Sequence, residues 1–326
     1  MEFTIRRRGV LASALAAPLV LPGLARAQGS WPSRSVRVVV PFTPGGSNDA
    51  VARPLAEHFQ RRLGQPFVVE NKPGAGSTVG SGEIARAPAD GYTLLVTSST
   101  FSTSAATQNT PYDAVNDFEG VALAATAPLL VLATKSFPAN NLRELAEYVR
   151  ANPGKVDYGS AGPGSINQLS AELFAQKAGG LKLVHIPYRG MGPATTDLVA
   201  GTIQLLFTTV PSAAGLVKDG SVKILGWTSE ARPASGPQAP TPKESGLDYS
   251  AEIWWGLLAR RGTPREIVEK LNATANEALG EGRLANYLRG EGAEPSPRPP
   301  GEFDAFLKGD IARWKQVATA ANIRID

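Results

Sequence analysis

The 326-residue chain contains no cysteine, two histidines and two methionines, and only 7% of its residues are aromatic. Without cysteine there is no disulfide, thiolate zinc site, iron–sulfur cluster, cysteine nucleophile or cysteine-linked lipid anchor. Two histidines exclude a three-histidine metal centre. Charge is scarce too: 33 Lys+Arg against 29 Asp+Glu leaves +4, and the four Arg and one Glu of residues 1–27 account for +3 of that. A remainder of +1 offers no concentrated basic face, so no nucleic-acid partner is expected. What is present is 42% apolar residues, enough for real cores, on a length that suggests two domains.

Residues 1–27 read as an export signal rather than as fold. Arg6-Arg7-Arg8 precedes an apolar stretch from Gly9 to Leu24, and Ala25-Arg26-Ala27 supplies a small-x-small cleavage site. The stretch is short and broken by Pro18 and Pro22, so it would span a membrane poorly. Arg7-Arg8-Gly9-Val10-Leu11 fits a twin-arginine signal, with general secretion as the alternative. The chain from about Gln28 has no further long apolar run and is expected to be soluble. Without a lipid anchor it would be retained only behind an outer membrane, which points to the periplasm.

From residue 30 onward, short β-branched runs alternate with helical patterns. Val36–Val40, Pro66–Glu70 and Tyr92–Thr97 read as strands, separated by helices carrying Val51, Leu55, Phe59 and Leu63, and then Ser77–Arg86. Pro54 inside the first helix is expected to kink it. A second series has a helix at Leu142–Arg150, strands at Val156–Ser160, Val184–Pro187, Gln204–Phe207 and Lys223–Trp227, and helices through Ile166–Phe174 and Ala194–Ala200. This βαβ alternation predicts an α/β fold with a mostly parallel sheet, flanked by helices, in each half. After a strand at Ile253–Ala259 the chain turns helical, with a capping box at Thr263-Pro264-Arg265-Glu266 and helices over 282–290 and 301–318.

Small-residue turns sit where these strands end and helices begin, the place where open α/β sheets bind ligands. They are Phe42–Asp49, Lys72–Ser77, Thr97–Thr100, Gly159–Ser165 and Tyr188–Gly192. Glycine lets the backbone approach a ligand, and helix N-termini leave N–H groups unpaired and partly positive, which suits an anion. None is a P-loop, because no Gly-Lys-Ser/Thr follows, and Gly74–Gly80 matches no dinucleotide fingerprint. Each turn alone is also ordinary loop punctuation. Asp49, in a first helical turn, could simply favour the helix dipole. His185 and Tyr188 each divide between packing and ligand contact, Trp254-Trp255 between packing and stacking, and Arg189 between solvent and a ligand carboxylate.

Pro41–Arg53 (PFTPGGSNDAVAR) resembles the first-strand signature of the Bug proteins, the solute-binding receptors of tripartite tricarboxylate transporters. The resemblance continues through Glu70–Ser77, Ala89–Leu94, His185–Gly190 with Gly192–Ala194, Pro240–Gly246, Trp254–Leu257 and Gly262–Val268. It implies a two-lobed periplasmic binding protein of the type II, Venus-flytrap kind. The chain would cross twice, giving a first lobe of 28–127 plus 253–326 and a second of 128–252. It implies a ligand carboxylate held by Phe42, Pro44, Gly45, Gly46, Ser47, Asn48, Asp49, Gly76, Ser77, Thr97 and Ser98 of the first lobe. Ser160, Gly164, Ser165, Tyr188, Gly190 and Thr208 would contribute from the second.

No cofactor, metal or catalysis is implied. The expected partners are a small carboxylate and the membrane subunits of a tripartite tricarboxylate-type transporter, or a sensor protein, with the receptor a monomer. Family members often carry Asp after the Phe of the strand at Gln204–Phe207; Thr208-Thr209 here favour an acid without an ammonium group. Two other readings stay open. One is a receptor with a signalling role and no transport partner. The other is an exported hydrolase using a turn serine, for which His185 is the available base.

Overall fold

The computed structural model describes residues 1–2, 31–188, 190–233, 236–280, 282–290 and 292–324. The export-signal reading and Arg189 lie outside them. The segment from Pro32 onward is one compact unit.

Its strands are β1 (Val36–Val40), β2 (Phe67–Asn71), β3 (Thr93–Ser98), β4 (Phe118–Pro128), β5 (Leu130–Thr134), β6 (Asp157–Ser160), β7 (Val184–Pro187), β8 (Leu205–Thr208), β9 (Val222–Trp227), β10 (Glu252–Arg260) and β11 (Glu294–Pro295). The helices are α1 (Ser47–Leu63), α2 (Thr78–Arg86), α3 (Thr100–Thr107), α4 (Leu142–Ala151), α5 (Ile166–Lys177), α6 (Met191–Ala200), α7 (Val210–Lys218), α8 (Arg265–Gly280), α9 (Arg283–Gly290) and α10 (Pro300–Ala320). Pro54 lies inside α1, whose helical assignment runs unbroken through it.

Two sheets carry the fold, in the orders β11-β4-β10-β3-β1-β2 and β7-β6-β8-β5-β9. Both are mixed rather than mostly parallel. β1 pairs in parallel with β2 and β3, and β6 with β7 and β8, as βαβ alternation predicts. β10 runs antiparallel to β3 and β4, and β5 antiparallel to β8 and β9. The antiparallel strands are those beside which the chain passes from one sheet to the other, and antiparallel neighbours need no helical crossover.

The chain leaves the first sheet at Pro128, enters the second at Leu130 and returns between Trp227 and Glu252. Thr228 ties the two crossings together. Its buried hydroxyl accepts from the Leu129 N–H (2.7 Å) and donates to the Ala251 carbonyl (2.6 Å). Each sheet has its own apolar cluster. Val39, Leu95, Phe101, Phe118, Trp254 and Phe303 pack in one, and Leu132, Leu198, Leu206 and Trp227 in the other.

β10 shows how strand alternation places side chains. Successive residues face opposite sides of a sheet. The Trp254 indole donates to Asp310 of α10 (2.7 Å), whereas the Trp255 indole donates to Ser47 at the start of α1 (3.2 Å).

Candidate ligand-binding site

Three adjacent parallel strands in each sheet end together, and a helix follows each of them: α1, α2 and α3 after β1, β2 and β3, and α5, α6 and α7 after β6, β7 and β8. Among the described residues, no side chain caps the N-terminus of α1, α2, α3, α6 or α7. Their first N–H groups therefore remain positive ends.

The first turn is held by Asp49. Its buried carboxylate accepts from the Gly45 N–H (3.1 Å), from Arg53 Nε (2.8 Å) and Nη2 (3.1 Å), and from Asn71 Nδ2 (3.0 Å). Asn71 also donates to the Phe42 carbonyl at 3.0 Å, so the edge strand β2 fixes the path of the turn. Burial raises the Asp49 pKa, but these hydrogen bonds and the Arg53 charge outweigh it and hold the carboxyl below its ordinary range. Asp49 is thus a fully engaged scaffold group. Pro44, Gly45 and Gly46 are exposed, Gly45 with a φ of 84° that favours glycine.

The second turn is strained. Gly74, Ala75, Gly76 and Ser77 all have positive φ (143°, 44°, 60° and 78°). Non-glycine residues in that region cost about 1–3 kcal/mol each and cluster at functional sites. The turn is clamped by α3, whose Ser104 hydroxyl donates to the Gly76 carbonyl at 2.5 Å. A side-chain carbon at Gly76 would lie within 3 Å of Ser104 and Gln108 and 3.7 Å from the Pro163 carbonyl oxygen. Pro163 belongs to the Gly159–Ser165 turn, so turns of the two sheets face each other here.

In that facing turn most groups hold one another. The Ser165 hydroxyl caps α5 by accepting from the Gln168 N–H (3.4 Å), and the Gly164 N–H donates to Gln168 Oε1 (2.8 Å). Ser160 Oγ accepts from the Gly162 N–H (3.1 Å) and lies 2.6 Å from His185 Nε2. The Tyr188 hydroxyl donates to Asp197 (2.6 Å); desolvation, and after it this bond, pushes its pKa up to about 12. Gly190, with φ 124°, is the N-cap of α6.

The Ser160–His185 pair is the arrangement a hydrolase would need, but its surroundings do not suit a nucleophile. Ser160 is fully buried and already bonded to its own turn. The His185 ring stacks on Tyr158, and desolvation lowers its pKa to about 4, which makes it a poor base at neutral pH.

Four of the remaining predicted residues present free polar atoms. Asn48 Oδ1, Ser77 Oγ, Thr97 Oγ1 and Thr208 Oγ1 are buried without a hydrogen-bond partner among the described residues. They are four of sixteen such atoms among the described residues, and what sets them apart is place: Thr97 and Thr208 lie at strand ends and Asn48 and Ser77 in the turns beyond strand ends, where a polar ligand would supply the missing partners. Ser98 receives only a long bond from Asn48 Nδ2, at 3.4 Å. Sequence reasoning missed α3, with its buried Ser102, Thr103 and Ser104, the supporting roles of Asn71 and Arg53, and the hydrogen bond that Trp255 makes to Ser47. Five serines or threonines in an eight-residue helix give a weak helical signal.

A separate open concavity lies at the crossings, lined by Thr126, Pro128, Glu230, Arg232, Ser250, Glu252 and Glu294 among others. Its carboxylates would repel an acid, and its Arg232 is paired with Glu244 (3.0 Å).

Two α/β lobes, each ending three parallel strands at uncapped or glycine-rich helix starts, define a two-lobed solute-binding protein. The chain matches the tripartite tricarboxylate transporter family receptor over residues 51–323 and belongs to that family. It is a receptor and not an enzyme. It is 32% identical over 300 residues to Protein BugT of Bordetella pertussis, covering 91% of this chain and 92% of that one. Among solved structures, R. palustris Rpa4515 with adipate has a TM-score of 0.83 and 34% identity, covering 90% of this chain and 99% of its own. MatC (Rpa3494) from Rhodopseudomonas palustris with bound malate has 0.80 and 35%, covering 88% and 99%.

Proposed function

We propose that this receptor captures a small carboxylate lacking an ammonium group between its lobes, in the periplasm, and delivers it to the membrane subunits of a tripartite tricarboxylate-type transporter. The lobes are residues 28–127 with 253–326, and 128–252. The carrying observation is the set of unpartnered buried atoms on Asn48, Ser77, Thr97 and Thr208. The three hydroxyls donate to ligand oxygens, and Asn48 Oδ1 accepts from a ligand hydroxyl or a bridging water. Each charge-assisted bond to a carboxylate contributes about 1.5–3 kcal/mol. Adipate in one relative and malate in another support this ligand class.

The absence of an ammonium group is read from Thr208-Thr209, which stand where family members often carry Asp. Asp49, the carboxylate of the first turn, is committed to Arg53 and Asn71 and is not left to pair with an amine. A ligand touching both lobes favours the closed form by the difference in contacts alone.

A thermal-shift panel of adipate, malate, citrate and benzoate against aspartate and glutamate tests this. A ligand at a hundredfold excess over its Kd stabilises by about 2.7 kcal/mol, which is roughly 5 °C for a chain of this size. The expected result is such a shift with one or more of the first four. Stabilisation by aspartate or glutamate, with the first four silent, would overturn the proposed ligand class.

A further inference from the structure

Trp255 stands 3.2 Å from the hydroxyl oxygen of Ser47, with its indole N–H as the donor. An indole N–H can only donate, so in this bond Ser47 must accept. The serine's own hydrogen is thereby turned to another direction. Ser47 opens α1, whose N-terminus carries no side-chain cap, and it is half-buried. Trp255 is 1% exposed, so water does not take the place of this bond.

Strand register brings the pair to the candidate site. Trp255 lies opposite Ser98 across the β3–β10 ladder, and the next residue, Gly256, lies opposite Thr97. The neighbouring indole shows that this is more than packing. Trp254 faces the other side of the strand and spends its N–H on Asp310 in α10, whereas Trp255 directs its N–H at a hydroxyl of the site. A chain of N–H to hydroxyl to carboxylate polarises each bond in turn and strengthens the last one.

The geometry points to Trp255 as a positioning residue that fixes Ser47 as a hydrogen donor to the ligand carboxylate. The inference rests on the carboxylate reading of this site. The contrast is Ser98, whose bond from Asn48 is longer, at 3.4 Å, and comes from an amide that can also present its oxygen. Ser47 is the hydroxyl whose polarity is set by a group with no alternative role.

The test is a titration of adipate and malate into the wild type, Trp255→Phe, Ser47→Ala and the double variant. Trp255→Phe keeps an aromatic ring and removes the N–H. It is expected to weaken binding about fivefold, the scale of one hydrogen bond. In the Ser47→Ala background the same change should have less than a twofold effect, because its target is gone. An effect of equal size in both backgrounds, or an affinity of Trp255→Phe within twofold of wild type, overturns the relay. Should Trp255→Phe fold poorly, the indole 1H–15N resonance of Trp255 reads the same bond from the other side. Ser47→Ala must shift it and speed its exchange with solvent, and an unmoved resonance overturns the proposal. If the wild type binds neither these acids nor any in the panel, the carboxylate reading fails and the relay with it. Wild-type binding without coupling overturns the relay alone.

Discussion

Replacing Asp49 by Ala is expected to weaken carboxylate binding by about a hundredfold and to destabilise the fold by about 2–3 kcal/mol. Four donors converge on this carboxylate, and its loss leaves the Gly45 N–H and one of the two Asn71 amide hydrogens without an acceptor. Charge-assisted bonds contribute about 1.5–3 kcal/mol each, discounted here because the Arg53 side chain is half-exposed. Asn71 then loses its hold on the Phe42 carbonyl, and the turn that opens α1 loses its shape. Asp49→Asn should be milder, and Arg53→Ala milder still, at under about 1 kcal/mol.

Calorimetric titration with adipate, together with thermal melts, checks the order. The direction is diagnostic. Were Asp49 a ligand contact, its removal would relieve repulsion of an anion, and tighter binding would contradict the scaffold role. The folded-state pKa of Asp49 lies below its ordinary 3.8, so its contribution is present above that value and is lost as pH falls through the lower, folded one.

Between pH 6.5 and about 4, His185 is expected to cost the folded state on the order of 2 kcal/mol. Desolvation lowers its pKa from 6.5 to about 4. Over that interval the unfolded chain binds a proton that the folded chain does not, so stability rises with pH and falls on acidification. The full shift would exceed 3 kcal/mol, and the half-buried ring justifies a smaller figure. Protonation also disturbs the 2.6 Å contact with Ser160 and the stack on Tyr158, which join β7 to β6 beside the second-lobe turn.

His58 is likewise lowered, by burial and by Arg61, and Asp310, Glu119 and Glu252 are raised by burial and shift stability in the opposite sense. The difference between wild type and His185→Gln, with His58→Gln as control, therefore isolates the effect. Melting temperatures across pH 4 to 7 should converge at the acid end. A gap between wild type and His185→Gln that stays constant with pH would contradict the assignment.

Much of this architecture was legible in the residues because βαβ units advertise themselves. Val36–Val40 and Leu142–Ala151 appear where β-branched runs and helical periodicity place them. The stretch from Thr100 to Thr134 was not legible. α3 is built from Ser, Thr and Ala around Phe101, and its stability comes from packing on α10 and the Gly76 turn rather than from propensity. β4 contains Gly120 and several alanines, weak strand formers that suit its close approach to Phe303.

The site divides the same way. Glycine and serine after a strand end can be seen in one dimension, and Ser77 and Thr97 became candidates that way. The groups that hold those turns come from elsewhere in the chain. Trp255 reaches Ser47 across more than 200 residues, a partnership that only the β10 register creates. The expectation of mostly parallel sheets failed for a related reason, because local βαβ periodicity is silent about which strands are inserted antiparallel at the crossings.

A crystal structure of the protein with adipate decides between the two concavities. One carboxylate is expected within hydrogen-bonding distance of the Ser77 and Thr97 hydroxyls and the first turn of α1, with the other end reaching toward Thr208. Adipate seated instead in the concavity of Thr126, Glu230 and Glu252, with the Ser77 and Thr97 hydroxyls untouched, would contradict it.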